Sequence, residues 1–223
     1  IDVGARTSLR DSDNKAIRVE TTPPRAATLA EIQQVIKDFA HATKMAQQAG
    51  FDGVEVHGAH GYLLHQFWVE QTNKRDDEYG GNRENRARLT LDVIDACVEA
   101  WDKDHVGVRI SPQGTFNAVE AGYDEDDNIW MIEQINKRDL MYLHLSEPDW
   151  AGGTPYNDGF RQRIRDAFDN TIIAAGGYTA DKAEKNVKAG FIDAVAFGRD
   201  YIANPDLAER IRKDEPLNEQ HPE

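Results

Sequence analysis

From Gly50 onward the chain repeats a single pattern, a short apolar run followed by a longer amphipathic one, and that alternation of strand and helix admits few folds. The strand candidates are Gly53 to His57, Val106 to Ser111, Met141 to Leu145, Thr171 to Ala175 and Ala194 to Phe197. Helix candidates lie between them, near Asn85 to Trp101, Asp127 to Lys137, Phe160 to Phe168 and Thr179 to Lys188. Strands that each lead into a crossover make a parallel sheet with helices outside it. Before the first strand, "TLAEIQQVIKDFAHATKMAQQAG" opens on Thr28 and Glu31 at capping-box spacing and closes on Gly50, which predicts an amphipathic helix. The opening stretch, residues 1–24, is polar and reads as a loop or small hairpin with a turn at "DSDNK".

Small and polar residues gather just after the strands, in "HGAHG", "SPQGTFN", "SEPDWAGG", "AGGYT" and "FGRD". In a (β/α)8 barrel those βα loops converge on one mouth, where the chemistry sits. A doubly wound open sheet would carry its glycine-rich phosphate turn after the first strand; here the glycine turns come last, as barrel phosphate sites do. The preferred fold class is therefore α/β, a TIM barrel in one domain over residues 1–223, although five strands do not close a barrel.

Composition removes several function classes. A formal charge of −14 and a pI near 4.9 oppose binding to nucleic acid or to an anionic membrane. No apolar run approaches the roughly 20 residues of a membrane span, and no signal peptide is recognisable, so a cytoplasmic protein is expected. Cys97 falls among Leu91, Ile94, Val98 and Trp101 on what reads as the buried face of a helix, where it serves as a structural thiol.

Three constellations could carry chemistry. His57, His60 and Tyr62 stand at a strand end beside Gly58 and Gly61, and His65 follows in the apolar run "YLLHQF". Neutral imidazoles can donate to a carbonyl or nitro oxygen and a phenol can deliver a proton, but packing histidines and a metal site are open alternatives. Arg109 interrupts an apolar strand and needs a partner, either a carboxylate or the electron-rich edge of a cofactor. In "AAGGYT" and "DAVAFGRDYIANP", Gly176, Gly177, Gly198 and Arg199 either hold a phosphate or form two ordinary βα turns. The charged segment "NKRDDEYGGNRENRARL" reads as a Gly-Gly turn within a solvated or locally ion-paired surface.

Together, "VHGAHGYLLHQF", "NKRDDEYGGNRENRARL", "VRISPQGTF", "LSEPDWAGG" and "DAVAFGRDYIANPDL" resemble the Old Yellow Enzyme family of flavin-dependent oxidoreductases, over essentially the whole chain. The likeness is to the bacterial branch containing N-ethylmaleimide reductase and pentaerythritol tetranitrate reductase, which carries a His/His pair. The resemblance implies an FMN-dependent enzyme that takes hydride from NADPH or NADH and reduces activated alkenes such as enones and maleimides, with nitro compounds and nitrate esters as further acceptors. It makes His57 and His60 the donors to the substrate oxygen, Tyr62 the proton donor, Arg109 the partner of the flavin N1/O2 edge, and Gly176, Gly177, Gly198 and Arg199 the phosphate site. No metal is implied, and His65 becomes a packing residue.

The sequence also departs from that family. Its barrel begins well before the segment matching Ile1, so the chain is expected to supply strands four to eight, as part of a longer, truncated or nicked protein whose remaining N-terminal segment would complete the barrel. Two alternatives follow, a catalytically inactive barrel fragment that serves as a binding or structural remnant, and a metal-dependent hydrolase using the histidines. Glu70 stands in "FWVEQT" where relatives have a Ser-Pro or Asp-Pro step, and Asn82 stands for the usual serine after the Gly-Gly pair.

Overall fold

The computed structural model describes residues 6–12, 15–20, 25–115, 117, 119, 124–151 and 153–220. Five parallel strands, β3 (Val54–Gly58), β4 (Val106–Ile110), β5 (Tyr142–Ser146), β6 (Thr171–Ala175) and β7 (Ala194–Val195), are hydrogen-bonded in sequence order into one arc. An antiparallel hairpin, β1 (Arg6–Arg10) with β2 (Ala16–Glu20), precedes it as a sheet of its own. Asp11 and Lys15 close that hairpin through two bonds of 3.0 and 2.9 Å; the remainder of the opening loop read from sequence, at 1–5, 13–14 and 21–24, lies outside the described residues.

Helices α1 (Leu29–Gln48), α2 (Leu63–Trp68), α3 (Arg83–Ala100), α4 (Glu125–Asn136), α5 (Asp158–Ala167), α6 (Ala180–Lys188), α7 (Arg199–Ala203) and α8 (Leu207–Lys213) complete the chain. The Thr28/Glu31 capping box forms at the start of α1, and Asn82 takes over the capping of α3 by accepting from the Asn85 N–H at 2.9 Å. The last strand is shorter than the apolar run 194–197 predicts: only Ala194 and Val195 ladder onto β6, although Asp193 and Ala196 still donate to the carbonyls of Ile172 and Ala174.

Alternation along the strands sorts the side chains. Val56, Val108, Leu143 and Ile172 point out and are buried under the helices, against Ile94, Ile132, Ile135, Phe160, Ile164 and Phe168. Cys97 is in this core, and burial pushes its thiol pKa up, as a structural thiol requires. His57, Arg109 and His144 alternate with those positions, at matched register on β3, β4 and β5, and face the inside of the arc.

The charged segment before α3 is less solvated than its composition suggests. Arg86 is buried, donates to the carbonyls of Trp68 and Gly81 and pairs with Asp127 at 2.9 Å, with its guanidinium over the Trp68 ring. The preceding turn allows that burial: a Cβ on Gly80 would fall 2.2 Å from the Arg75 carbonyl oxygen, and Gly81 has φ +84° with open space around it. Gly80→Ala should therefore cost about 1–3 kcal/mol in chemical denaturation, as overpacking does, and Gly81→Ala only about 1 kcal/mol, the cost of a left-handed backbone. Equal losses would show that the close approach at Gly80 relaxes freely.

Candidate active site

All the motifs read as chemical stand at the C-terminal ends of the strands. A cleft of about 370 Å³ is lined there by His60, Arg109, Gly176, Gly177, Gly198 and Arg199, together with Ser146, Trp150 and Phe197. Six of the eight sequence-predicted site residues thus share one concavity. His57 and Tyr62 do not line it but join it through His60: the His57 ring lies 5.3 Å from the His60 ring and 5.5 Å from that of Tyr62. Tyr62 is 53% exposed and His57 half-buried, so the phenol and the imidazoles face a space open to a ligand.

His60 is held on three sides by residues that sequence reasoning missed. Its backbone has φ 58°, a conformation that few residues other than glycine adopt. Ser111 Oγ accepts from its N–H at 3.0 Å, Asn117 Nδ2 donates to its carbonyl at 3.0 Å, and Ser146 Oγ lies 2.7 Å from its Nε2. Trp150 covers the ring at a tilt, with centroids 5.3 Å apart. The available signal was the clustering of small polar residues after the second and third strands of the arc; their pairing with His60 was not legible.

His65 behaves as a packing histidine. It is buried, and its Nδ1 accepts from the Gly61 N–H at 2.8 Å, fixing the turn that launches α2. Among the described residues no group of three histidine, cysteine or carboxylate side chains is placed to hold a metal ion.

Electrostatics keep the imidazoles neutral. Burial, with the positive charge of Arg109 second, lowers the His57 pKa and takes that of His60 down to about 4. Burial is the largest cause of the fall of His65 to about 3, with the neighbouring His60 and His57 rings lowering it further. Neutral rings donate through one N–H and accept at the other nitrogen, the state suited to polarising an oxygen. Deeper in the arc, His144 Nδ1 lies 2.8 Å from Glu55 Oε2, and burial raises the Glu55 pKa less than this histidine, Tyr142 and Arg109 lower it. His144 was not singled out from the sequence.

Arg109 has the partner problem that its place in an apolar strand predicts. It lines the cleft half-buried, and among the described residues its buried Nε has no hydrogen-bond acceptor. The two glycine turns follow β6 and β7 and bring Gly176, Gly177, Gly198 and Arg199 to the same cleft.

A parallel arc whose hydrogen-bond donors, half-buried cation and terminal glycine turns share one face has the layout of the C-terminal face of a (β/α) barrel. The chain belongs to the NADH:flavin oxidoreductase / NADH oxidase family, whose pattern matches residues 4–218. It is 41% identical over 199 residues to 12-oxophytodienoate reductase 2 of Arabidopsis thaliana, covering 88% of this chain and 53% of that protein. To 12-oxophytodienoate reductase 1 of Oryza sativa subsp. japonica it is 44% identical over 202 residues, 87% of this chain and 52% of that one. Morphinone reductase superposes with a TM-score of 0.92 at 40% identity, over 98% of this chain and 59% of the other. The Old Yellow Enzyme homologue from Zymomonas mobilis gives 0.87 at 31% identity, over 98% and 62%. The resemblance to Old Yellow Enzyme therefore holds, and the arc is a part of that TIM barrel. The chain spans about half the length of the curated relatives it matches.

The neutral histidines have a consequence for stability. His57, His60 and His65 have folded pKa values below the ordinary 6.5, so the unfolded chain binds more protons and stability rises with pH across that window. The melting temperature should fall as pH drops from about 6.5 to 5, above the range of ordinary carboxylates, and His65→Gln should flatten that slope. A melting temperature constant over the window would show that the histidines titrate normally.

Proposed function

We propose that this chain forms the catalytic face of an FMN-dependent NAD(P)H oxidoreductase that reduces alkenes activated by a carbonyl or nitro group. One observation carries the reading: His60, Arg109 and both glycine turns line a single cleft, with His57 and Tyr62 in ring contact at its side. Support also comes from the family and from relatives named as reductases, one of them, morphinone reductase, solved in complex with tetrahydroNAD.

The residues present fit FMN. Arg109 offers a buried nitrogen that lacks an acceptor, which suits the oxygen- and nitrogen-rich edge of a flavin ring. Gly176, Gly177, Gly198 and Arg199 bring backbone N–H groups and a guanidinium to the end of the cleft where a phosphate would sit. When bound, FMN supplies the chemistry of accepting hydride from NADPH or NADH and passing it to the substrate. The fixed positive charge of Arg109 would stabilise negative charge developing beside it. His57 and His60, neutral at working pH, donate N–H groups to the substrate's carbonyl or nitro oxygen and draw electron density from the double bond. Tyr62, exposed beside them, delivers the proton to the α-carbon. Ser111, Asn117, Ser146 and Trp150 keep His60 aimed, so that donation costs no reorganisation.

Enones and maleimides are the substrate class that this donor pair and acid suit, and the site acts in one domain of a cytoplasmic enzyme. A second reading, an inactive arc that binds no flavin, is favoured by the two sheet ends that no described strand pairs, β3 and β7. Titration with FMN, followed by the visible spectrum, separates the two: a perturbed flavin spectrum is expected, and its absence from a folded chain supports the inactive arc. In anaerobic half-reactions Tyr62→Phe should slow alkene reduction by about 100-fold or more and leave reduction by NADPH nearly unchanged. Equal slowing of both halves would remove Tyr62 from the role of proton donor.

A further inference from the structure

The glycine turn after β6 already carries an anion of the protein's own. Gly177 N–H donates to Asp149 Oδ1 at 2.8 Å, and Asp149 Oδ2 receives Lys182 Nζ at 2.6 Å. The carboxylate lies so close that a Cβ on Gly176 would fall 2.5 Å from Oδ1, and one on Gly177 2.9 Å from Oδ2. Behind it Glu147, fully buried, takes both terminal nitrogens of Arg161 at 2.5 and 2.6 Å and the Tyr178 hydroxyl at 2.5 Å. The Glu147 backbone N–H donates to the Ala175 carbonyl at 2.7 Å. The chain on either side of Gly176-Gly177 is therefore braced, and Lys182 is anchored too, 3.4 Å from Glu147 and 4.1 Å above the centre of the Tyr178 ring.

A backbone N–H has one hydrogen to give. If the turn takes a phosphate, as the proposed function has it and on which this inference rests, a phosphate oxygen must contest the Gly177 N–H with Asp149, against a like charge in contact. Burial raises the Asp149 pKa, but the Gly177 N–H and Lys182 outweigh it and hold the carboxyl below its ordinary range, so the charge persists at neutral pH. We propose that Asp149 and Lys182 set the affinity of the phosphate site: Asp149 competes with the incoming phosphate for the Gly177 N–H, and Lys182 lets the phosphate win by retaining the displaced carboxylate. Both are specificity-setting residues that act through the turn. Neither is catalytic.

The test titrates the unsubstituted protein, Asp149→Asn, Asp149→Ala and Lys182→Met with inorganic phosphate, followed by phosphorus NMR, and with FMN and riboflavin, followed by flavin fluorescence. Glu184→Gln, on an exposed face of α6 and paired with Lys188, controls for net charge. Both Asp149 variants should bind phosphate, and FMN relative to riboflavin, about 5-fold or more tightly, the size of coupling usual between linked sites. Lys182→Met should weaken both by a similar factor, with riboflavin affinity and the Glu184→Gln control unmoved. An FMN-to-riboflavin ratio that stays or falls in the Asp149 variants overturns the competition and leaves Asp149 as a brace of the turn. Should one variant fail to fold, tighter or equal phosphate binding by Lys182→Met overturns it on its own. Phosphate binding with the expected pattern but without flavin binding would sink the cofactor reading and keep the competition; no phosphate binding by any form sinks both.

Discussion

His57, Arg109 and His144 stand side by side because β3, β4 and β5 are hydrogen-bonded in that register, and the site depends on it. A slip of one residue in β4 would turn Arg109 out under the helices and bring Val108 or Ile110 into the arc. What prevents the slip is the other face: Val56, Val108, Leu143 and Ile172 are each buried under the helical layer and would all have to come out. Apolar packing on the outside of the arc thereby fixes polar chemistry on its inside.

That inside face is economical with charge. Arg109 is the cation of the cleft's strand wall, and its field is one reason that the neighbouring imidazoles stay neutral. The Glu55 carboxylate is spoken for by His144 and lies a layer deeper. Two further pairs of strong charges, Glu147 with Arg161 and Asp149 with Lys182, stand at the first glycine turn. A substrate oxygen near His57 and His60 would therefore meet donors without a competing carboxylate from the strand ends.

Much of this was legible in sequence because it is local. Strand-helix alternation, the Thr28/Glu31 box and the glycine turns each depend on residues a few positions apart, and they fold as they read. Six of eight expected site residues share a cleft because strand ends in a parallel sheet lie along one edge. What escaped was long-range: Ser146 meets His60 across 86 positions and Asn117 across 57, and no local pattern announces either. The pairing of Glu147 with Arg161, 14 apart, carries no local signal, and Arg86 fell in a segment read as solvated or locally ion-paired surface, since pairing in the fold and not residue type decides which charges are buried. The short helices α2, α7 and α8 carry too few residues for periodicity to stand out.

The strand order of the arc also has a kinetic side. Because β3 to β7 pair in sequence order, every strand finds its partner across one or two intervening helices, and among the described residues no pairing joins the two ends of the arc. The ladder can therefore grow one unit at a time from either end. The two glycine turns belong to neighbouring units, so they can assume their mutual geometry without waiting for the histidine end of the arc.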